Sequence, residues 1–208
     1  KVLVVGGSYI YHGAPALSSL AVLRTGADLA YTCVPKINAQ STRAVSPNLI
    51  VIPLADSKLT RGAVNKLLGQ IPIDLDSAVI GMGLAIQDPE ALKLLVKSLL
   101  DRDVRLSLDA SALVSYILPF VSGKNVVVTP HAGEFKRLFG DTPPESTKTR
   151  IAMVEKFAKK YSITILLKGS VDIISNGIKT YLNPKNTPAM TVGGTGDILS
   201  GILAGILG

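Results

Sequence analysis

No stretch of this 208-residue chain approaches the roughly 18 consecutive apolar residues that cross a bilayer, although 47% of its residues are hydrophobic and the mean hydropathy is +0.38. High apolar content in short runs describes a densely packed core, and membrane attachment is not expected. Cysteine is almost absent. Cys33 stands alone, so no disulfide can form within the chain, and its apolar surroundings, Leu29-Ala30-Tyr31-Thr32-Cys33-Val34, mark a buried strand thiol rather than a nucleophile. That usage fits a reducing cytoplasm. Aromatic residues make up 5%, and the lysines and arginines behind the net charge of +7 are scattered. A nucleic-acid surface would need clustered cations and stacking rings, so the charge is read as a solvated surface that favours anionic small molecules. The two histidines, His12 and His131, lie far apart, and a zinc site built from protein ligands alone is not expected. Two nucleotide motifs are missing as well. No glycine-rich turn runs into Gly-Lys-Ser or Gly-Lys-Thr, and Gly81-Met82-Gly83-Leu84-Ala85-Ile86 places Ile86 where a dinucleotide fingerprint needs its third glycine.

The pattern that is present alternates short aliphatic runs with amphipathic stretches, as in βα units around a mostly parallel sheet. Strands are predicted at Val2 to Val5, Leu29 to Val34, Leu49 to Ile52, Ala78 to Ile80, Val104 to Leu108, Val126 to Thr129 and Ile163 to Leu167. Their near-continuous apolar character is that of strands covered on both faces. Helical spacing appears in Ala14 to Arg24, Arg61 to Leu68, Glu90 to Leu100, Ala112 to Leu118, Gly133 to Phe139 and Thr147 to Lys160. Asn176-Gly177, between Val171 to Ser175 and Lys179 to Leu182, signals a terminal antiparallel hairpin. The expected architecture is a three-layer α/β domain over residues 1–208. Both ends fall inside regular patterns, so the chain reads as cut at one or both of them.

In such sheets ligands gather beyond the carboxyl ends of the strands. Those positions here carry Gly6-Gly7-Ser8, Gly13-Ala14-Pro15, Gly81-Met82-Gly83, Asp109, Thr129-Pro130-His131-Ala132-Gly133-Glu134 and Lys168-Gly169-Ser170. Asp109 is suited to cap the helix that follows or to act on substrate. His131 and Glu134 share one face of a helix start, where they could serve a ligand or only the helix terminus. Near the end, Thr191-Val192-Gly193-Gly194-Thr195-Gly196-Asp197 runs into the apolar helical pattern Ile198 to Ala204. Backbone amides at such a start form an anion site, and Asp197 in the first turn either caps the helix or takes a proton from a hydroxyl attacking a phosphate.

Taken together, these motifs in this order resemble the ribokinase-like superfamily and, within it, the NAD(P)H-hydrate dehydratases, which repair hydrated nicotinamide cofactors. The resemblance implies a ribokinase-like fold with helices on both faces of the sheet. It implies dehydration of the S-form of NADH or NADPH hydrate at the expense of ADP or ATP, with Mg²⁺. It also implies that Ala14, Gly83, His131 and Asp109 contact the hydrated cofactor and that Asp197 is the catalytic base. Lys168, Gly169, Ser170, Val171 and Asp172 would hold the nucleotide together with Gly193, Gly194, Thr195 and Gly196, and Glu134 would reach a metal ion through water or phosphate. Members look like homo-oligomers, often tetramers, fused to or acting with an epimerase. Four residues depart from the family pattern: Met82 stands where it has proline, Ala85 where it has glycine, Ser111 where it has aspartate and Asp172 where it commonly has threonine. Two other readings stand beside this one, a small-molecule kinase of the same superfamily acting on a hydroxymethylpyrimidine, hydroxyethylthiazole or sugar, and a nucleotide-binding module without catalysis.

Overall fold

Aliphatic runs of three to six residues, too short and too β-branched for helices, form the strands, and a computed structural model describes residues 1–208. In chain order the elements are β1 (Val2–Val5), α1 (Ala14–Arg24), β2 (Ala30–Pro35), α2 (Ala39–Val45), β3 (Leu49–Leu54), α3 (Arg61–Leu68), β4 (Ser77–Ile80) and α4 (Pro89–Leu100). They continue with β5 (Arg105–Leu108), α5 (Leu118–Val121), β6 (Val126–Val128), α6 (Ala132–Phe139), α7 (Thr147–Tyr161), β7 (Thr164–Leu167), β8 (Asp172–Ser175), β9 (Thr180–Asn183) and α8 (Thr195–Leu207). One nine-stranded sheet has the order β3-β2-β1-β4-β5-β6-β7-β8-β9. β1 to β7 pair in parallel, while β8 and β9 are antiparallel.

The period-two alternation of each strand feeds two cores. Leu3, Val5, Ile80, Leu106 and Leu108 join Phe135, Phe157 and the apolar sides of α3 and α4 in the larger one, and Val2, Val4 and Val79 face Val22 of α1 and Ala204 of α8 in the smaller. Helices therefore cover both faces, as expected. Cys33 is fully buried, and burial pushes its thiol far above the ordinary range, so it stays unreactive. No helix is long and apolar enough to cross a membrane.

Three segments differ from the expected pattern. The helix predicted over 112–118 is replaced by two 3-10 turns, Ala110–Ala112 and Ser115–Ile117, before the short α5. Pro119 accounts for the late start, since it fits the first turn of a helix and no interior position. α2 has no counterpart in the predicted helices, because its sequence Ala-Gln-Ser-Thr-Arg-Ala-Val buries only Ala39 and Thr42 and shows no apolar stripe. The hairpin turn holds four residues rather than two, with Asn176 Oδ1 accepting from the amides of Ile178 and Lys179 at 3.0 and 2.8 Å.

α8 packs against α1 at unusually short range. A Cβ on Gly201 would lie 2.3 Å from the carbonyl oxygen of Ser18, so only glycine allows this approach. The contact fixes where the first turn of α8 points, and that turn carries Asp197.

Candidate active site

The order of the strands reverses between β1 and β4, which opens a crevice beyond their carboxyl ends. Gly6 and Gly7 follow β1 there, and Gly81-Met82-Gly83 follows β4. Ala14, at the start of α1, meets Gly83: a Cβ built on Gly83 would lie 3.4 Å from that of Ala14. One turn further along α1, Leu17 packs against Gly194, the left-handed residue that opens α8. The loops expected to meet the hydrated cofactor and the start of α8 thus form one continuous wall.

The next three strands supply charge. Asp109, at the end of β5, is 2% exposed. Its Oδ1 accepts from Thr129 Oγ1 at 2.7 Å and from Lys168 Nζ, at the end of β7, at 3.0 Å. Lys168 Nζ is also 3.5 Å from Glu134 Oε2. Of the two readings of Asp109, the cap is not formed: its carboxylate turns inward to Lys168 and Thr129 and makes no cap bond. Arg137 holds the next turn by donating to the carbonyls of Leu113 and Ala110, the latter in the left-handed region at φ 47°. Gly81 touches the other side of this turn. Its φ is +124°, and a Cβ would sit 1.9 Å from the Asp109 carbonyl oxygen. Gly81→Ala is therefore expected to lose about 3 kcal/mol of stability or more, read as a lower denaturant midpoint at unchanged slope.

His131 and Glu134 form a capping box at α6. Nδ1 of His131 accepts from the amides of Gly133 and Glu134 at 3.0 and 3.3 Å, and Glu134 Oε2 accepts from the His131 amide at 2.9 Å. Helix capping occupies Nδ1, while Nε2 lies 3.5 Å from Glu134 Oε1 on an imidazole that is 60% exposed, so the ring's outer edge stays open to the solvent side of the cleft. No group of three or more His, Cys, Asp or Glu side chains converges as a metal site.

Gly196 brings the helix start to the charged pair: a Cβ there would lie 3.7 Å from Lys168 Nζ and 4.0 Å from Asp109 Oδ2. The amides at the start of α8 and the Lys168 ammonium thus aim at one place, which suits an anion. Asp197 follows, half-buried and with no hydrogen-bond partner for its carboxyl. Burial raises its pKa above the ordinary carboxylate value, the nearby Asp109 charge adds to the rise, and Lys168 opposes it.

A cleft of about 420 Å³ opens beside this turn, with His131, Lys168, Gly169, Asp172, Thr195 and Gly196 on its wall. Ser170, Val171, Gly193 and Gly194 flank it without lining it. Thr191, from the glycine-rich motif, also lines it, and sequence reasoning missed Asn183, Asn186, Thr187, Met190 and Leu199, which complete the wall. Only the closeness of the two asparagines to the hairpin hinted at them. A larger cavity of about 840 Å³ lies at the opposite, amino ends of β5 to β7, around Arg105, Lys124 and Thr164. No helix starts there, and the one strand carboxyl end it meets is that of the antiparallel β8, at Asn176 and Gly177, so the smaller cleft beyond the carboxyl ends of the parallel strands is the candidate site.

A family model described as NAD(P)H-hydrate dehydratase matches residues 2–208. The chain belongs to the NAD(P)H-hydrate dehydratase family. Among its members, an ADP-dependent (S)-NAD(P)H-hydrate dehydratase of Nitrosopumilus maritimus (strain SCM1) is 73% identical over 206 residues, covering 99% of this chain and 72% of the relative. Its counterpart in Cenarchaeum symbiosum (strain A) is 68% identical over 207 residues, covering 100% and 72%. A solved ADP/ATP-dependent NAD(P)H-hydrate dehydratase of Bacillus subtilis, co-crystallized with ATP and Mg²⁺ and soaked with CoA, superposes with a TM-score of 0.80 at 27% identity. That match covers 99% of this chain and 73% of the other. A ribokinase-like superfamily protein of Enterococcus faecalis V583 superposes with a TM-score of 0.76 at 27% identity over 99% of this chain and 70% of the other, and the fold is ribokinase-like. Within the family, the glycine-rich turn before Asp197 and the Lys168 strand end are the two motifs that this fold brings together.

Proposed function

We propose that this chain is a hydro-lyase that returns the S-form of NADH or NADPH hydrate to the reduced cofactor at the expense of ADP, with ATP as the alternative co-substrate. The observation that carries the reading is Asp197: a carboxyl without a partner, with a raised pKa, in the first turn of a helix whose amides lie beside Lys168. A carboxylate so placed is a stronger base than a solvated one, and it stands next to the place where an anion would bind.

The chemistry follows from these groups. Asp197 takes the proton of the 6-hydroxyl as its oxygen attacks the terminal phosphorus of ADP, and the bond to the α-phosphate oxygen breaks to leave AMP. The amides from Gly193 to Gly196 and the ammonium of Lys168 stabilise the charge on the transferred group. Phosphate is a far better leaving group than hydroxide. The ring-nitrogen lone pair expels it, and loss of a proton from the adjacent ring carbon restores the dihydronicotinamide. Ala14, Gly83, His131 and Asp109 would hold the hydrate, and Asp109 would also orient Lys168 toward the phosphate. Mg²⁺ would be carried by the nucleotide phosphates, with Glu134 reaching it through water, and would neutralise phosphate charge. The relatives' dehydratase names favour this reading over a small-molecule kinase. A homotetramer in the cytoplasm, with an epimerase fused or separate to supply the S-form, completes the proposal.

The test mixes the protein with NADH hydrate, Mg²⁺ and ADP or ATP and follows the reduced-nicotinamide absorbance. Recovery with release of one phosphate per turnover is expected, with ADP the better co-substrate. Absence of recovery with both nucleotides would sink the proposal.

A further inference from the structure

Asp172 is the one carboxylate on the wall of the nucleotide cleft. It is held in a closed ring of hydrogen bonds. Oδ1 accepts from the Gly169 amide at 3.0 Å, and Oδ2 accepts from Asn183 Nδ2 at 3.2 Å. Asn183 also donates to Asn186 Oδ1 at 3.0 Å, and Asn186 Nδ2 returns to the Gly169 carbonyl at 2.9 Å. The ring ties the loop after β7 to the loop after β9 and fixes the carboxylate's position. Each of its oxygens keeps a further lone pair, and the half-buried side chain offers that capacity to the cleft.

A carboxylate on the wall of a cleft that takes a polyanion repels phosphate, so it is tolerable only where the ligand presents donors. An adenine nucleotide has two kinds, the ribose hydroxyls and the base amino group. Asp172 is bonded to Gly169, the residue after the phosphate-facing Lys168, and so stands at the phosphate end of the cleft. The group that follows phosphate in a nucleotide is the ribose. Met190 and Leu199 supply the apolar wall that a flat base requires. Resting on the nucleotide reading above, we propose that Asp172 accepts a hydrogen bond from a ribose hydroxyl and makes the cleft select ribonucleotides over deoxyribonucleotides, with Asn183 and Asn186 as its positioning residues.

Titration calorimetry of ADP, 2′-deoxy-ADP, 3′-deoxy-ADP and inosine diphosphate tests this on the wild type, Asp172→Asn and Asp172→Ala. A charged hydrogen bond predicts that the wild type binds at least one deoxy analogue about tenfold or more weakly than ADP, and that this ratio falls to about twofold or less in Asp172→Ala. Asp172→Asn keeps the side-chain shape, is a weaker acceptor and gives an intermediate ratio, and it carries the test alone if the alanine variant does not fold. Equal wild-type affinity for ADP and both deoxy analogues overturns the inference. A ratio that survives both substitutions, or a loss of discrimination confined to inosine diphosphate, does the same. These outcomes leave ADP binding, and the dehydratase reading, intact. Failure of the wild type to bind ADP at all would instead overturn that reading, and this inference with it.

Discussion

Asp197→Asn lowers turnover about 10²- to 10⁴-fold with ADP affinity nearly unchanged, because the amide keeps the side-chain shape and cannot take the hydroxyl proton. Stopped turnover with calorimetric binding separates this from the binding-module reading, which predicts no change in either. The same substitution stabilises the protein at neutral pH. The folded state raises the Asp197 pKa from its ordinary 3.8, chiefly by burial, so the charged form is held at a cost. That cost is fully present above the raised value and absent below the ordinary one. The melting temperature of the variant should therefore exceed the wild type's at pH 7, with the gain shrinking to nothing as pH falls below the ordinary carboxylate range. In the wild type kcat/KM should fall toward acid at a higher pH than an unperturbed carboxylate would give, since the base must be ionised. Asp109→Asn removes the second cause of the shift and moves that limb to lower pH. An unmoved limb would show that Asp109 does not set the base.

Much of this arrangement was legible locally. Strands buried on both faces leave continuous aliphatic runs, so β1 and β4 to β7 lie within a residue or two of their predicted limits. α3, α4, α6 and α7 carry an apolar stripe and were equally plain. α2 was not, because it lies nearly flat on the surface with a polar sequence. The 3-10 turns after Asp109 escaped because their geometry comes from tertiary contacts, with Gly81 pressed against one side and Arg137 bonded to the other. The same distinction runs through the site. The glycine turn before Asp197 is a local pattern that reads directly as a helix start. Asp109 and Lys168 are separated by 59 residues, and only the adjacency of β5, β6 and β7 brings them to 3.0 Å. Asn183 ends the hairpin and Asn186 follows it, and no spacing rule encodes the hairpin's placement over the cleft. Sequence thus identified the groups with chemical potential, and topology decided which of them act on each other.

The Lys168–Asp109 pair is where that topological coupling should be largest. Lys168→Met leaves the Asp109 carboxylate, whose side chain is 3% exposed, with Thr129 as its remaining side-chain donor. A wholly buried pair broken this way costs about 3–5 kcal/mol, and since the Lys168 side chain is 23% exposed the expected loss is about 2–3 kcal/mol. For a chain of this size that is roughly 5–10 °C in melting temperature. Adding Asp109→Asn should recover most of it, because a neutral amide can keep the Thr129 bond and no longer needs a cation. Binding should not recover. The single and double variants both lack the ammonium beside Gly196, so both should lose ADP affinity by about tenfold or more. Thermal melts of the four species, read beside calorimetry with ADP, separate the two roles. If ADP affinity returned with stability in the double variant, Lys168 would serve only to neutralise Asp109, and the anion would be held by the start of α8 alone.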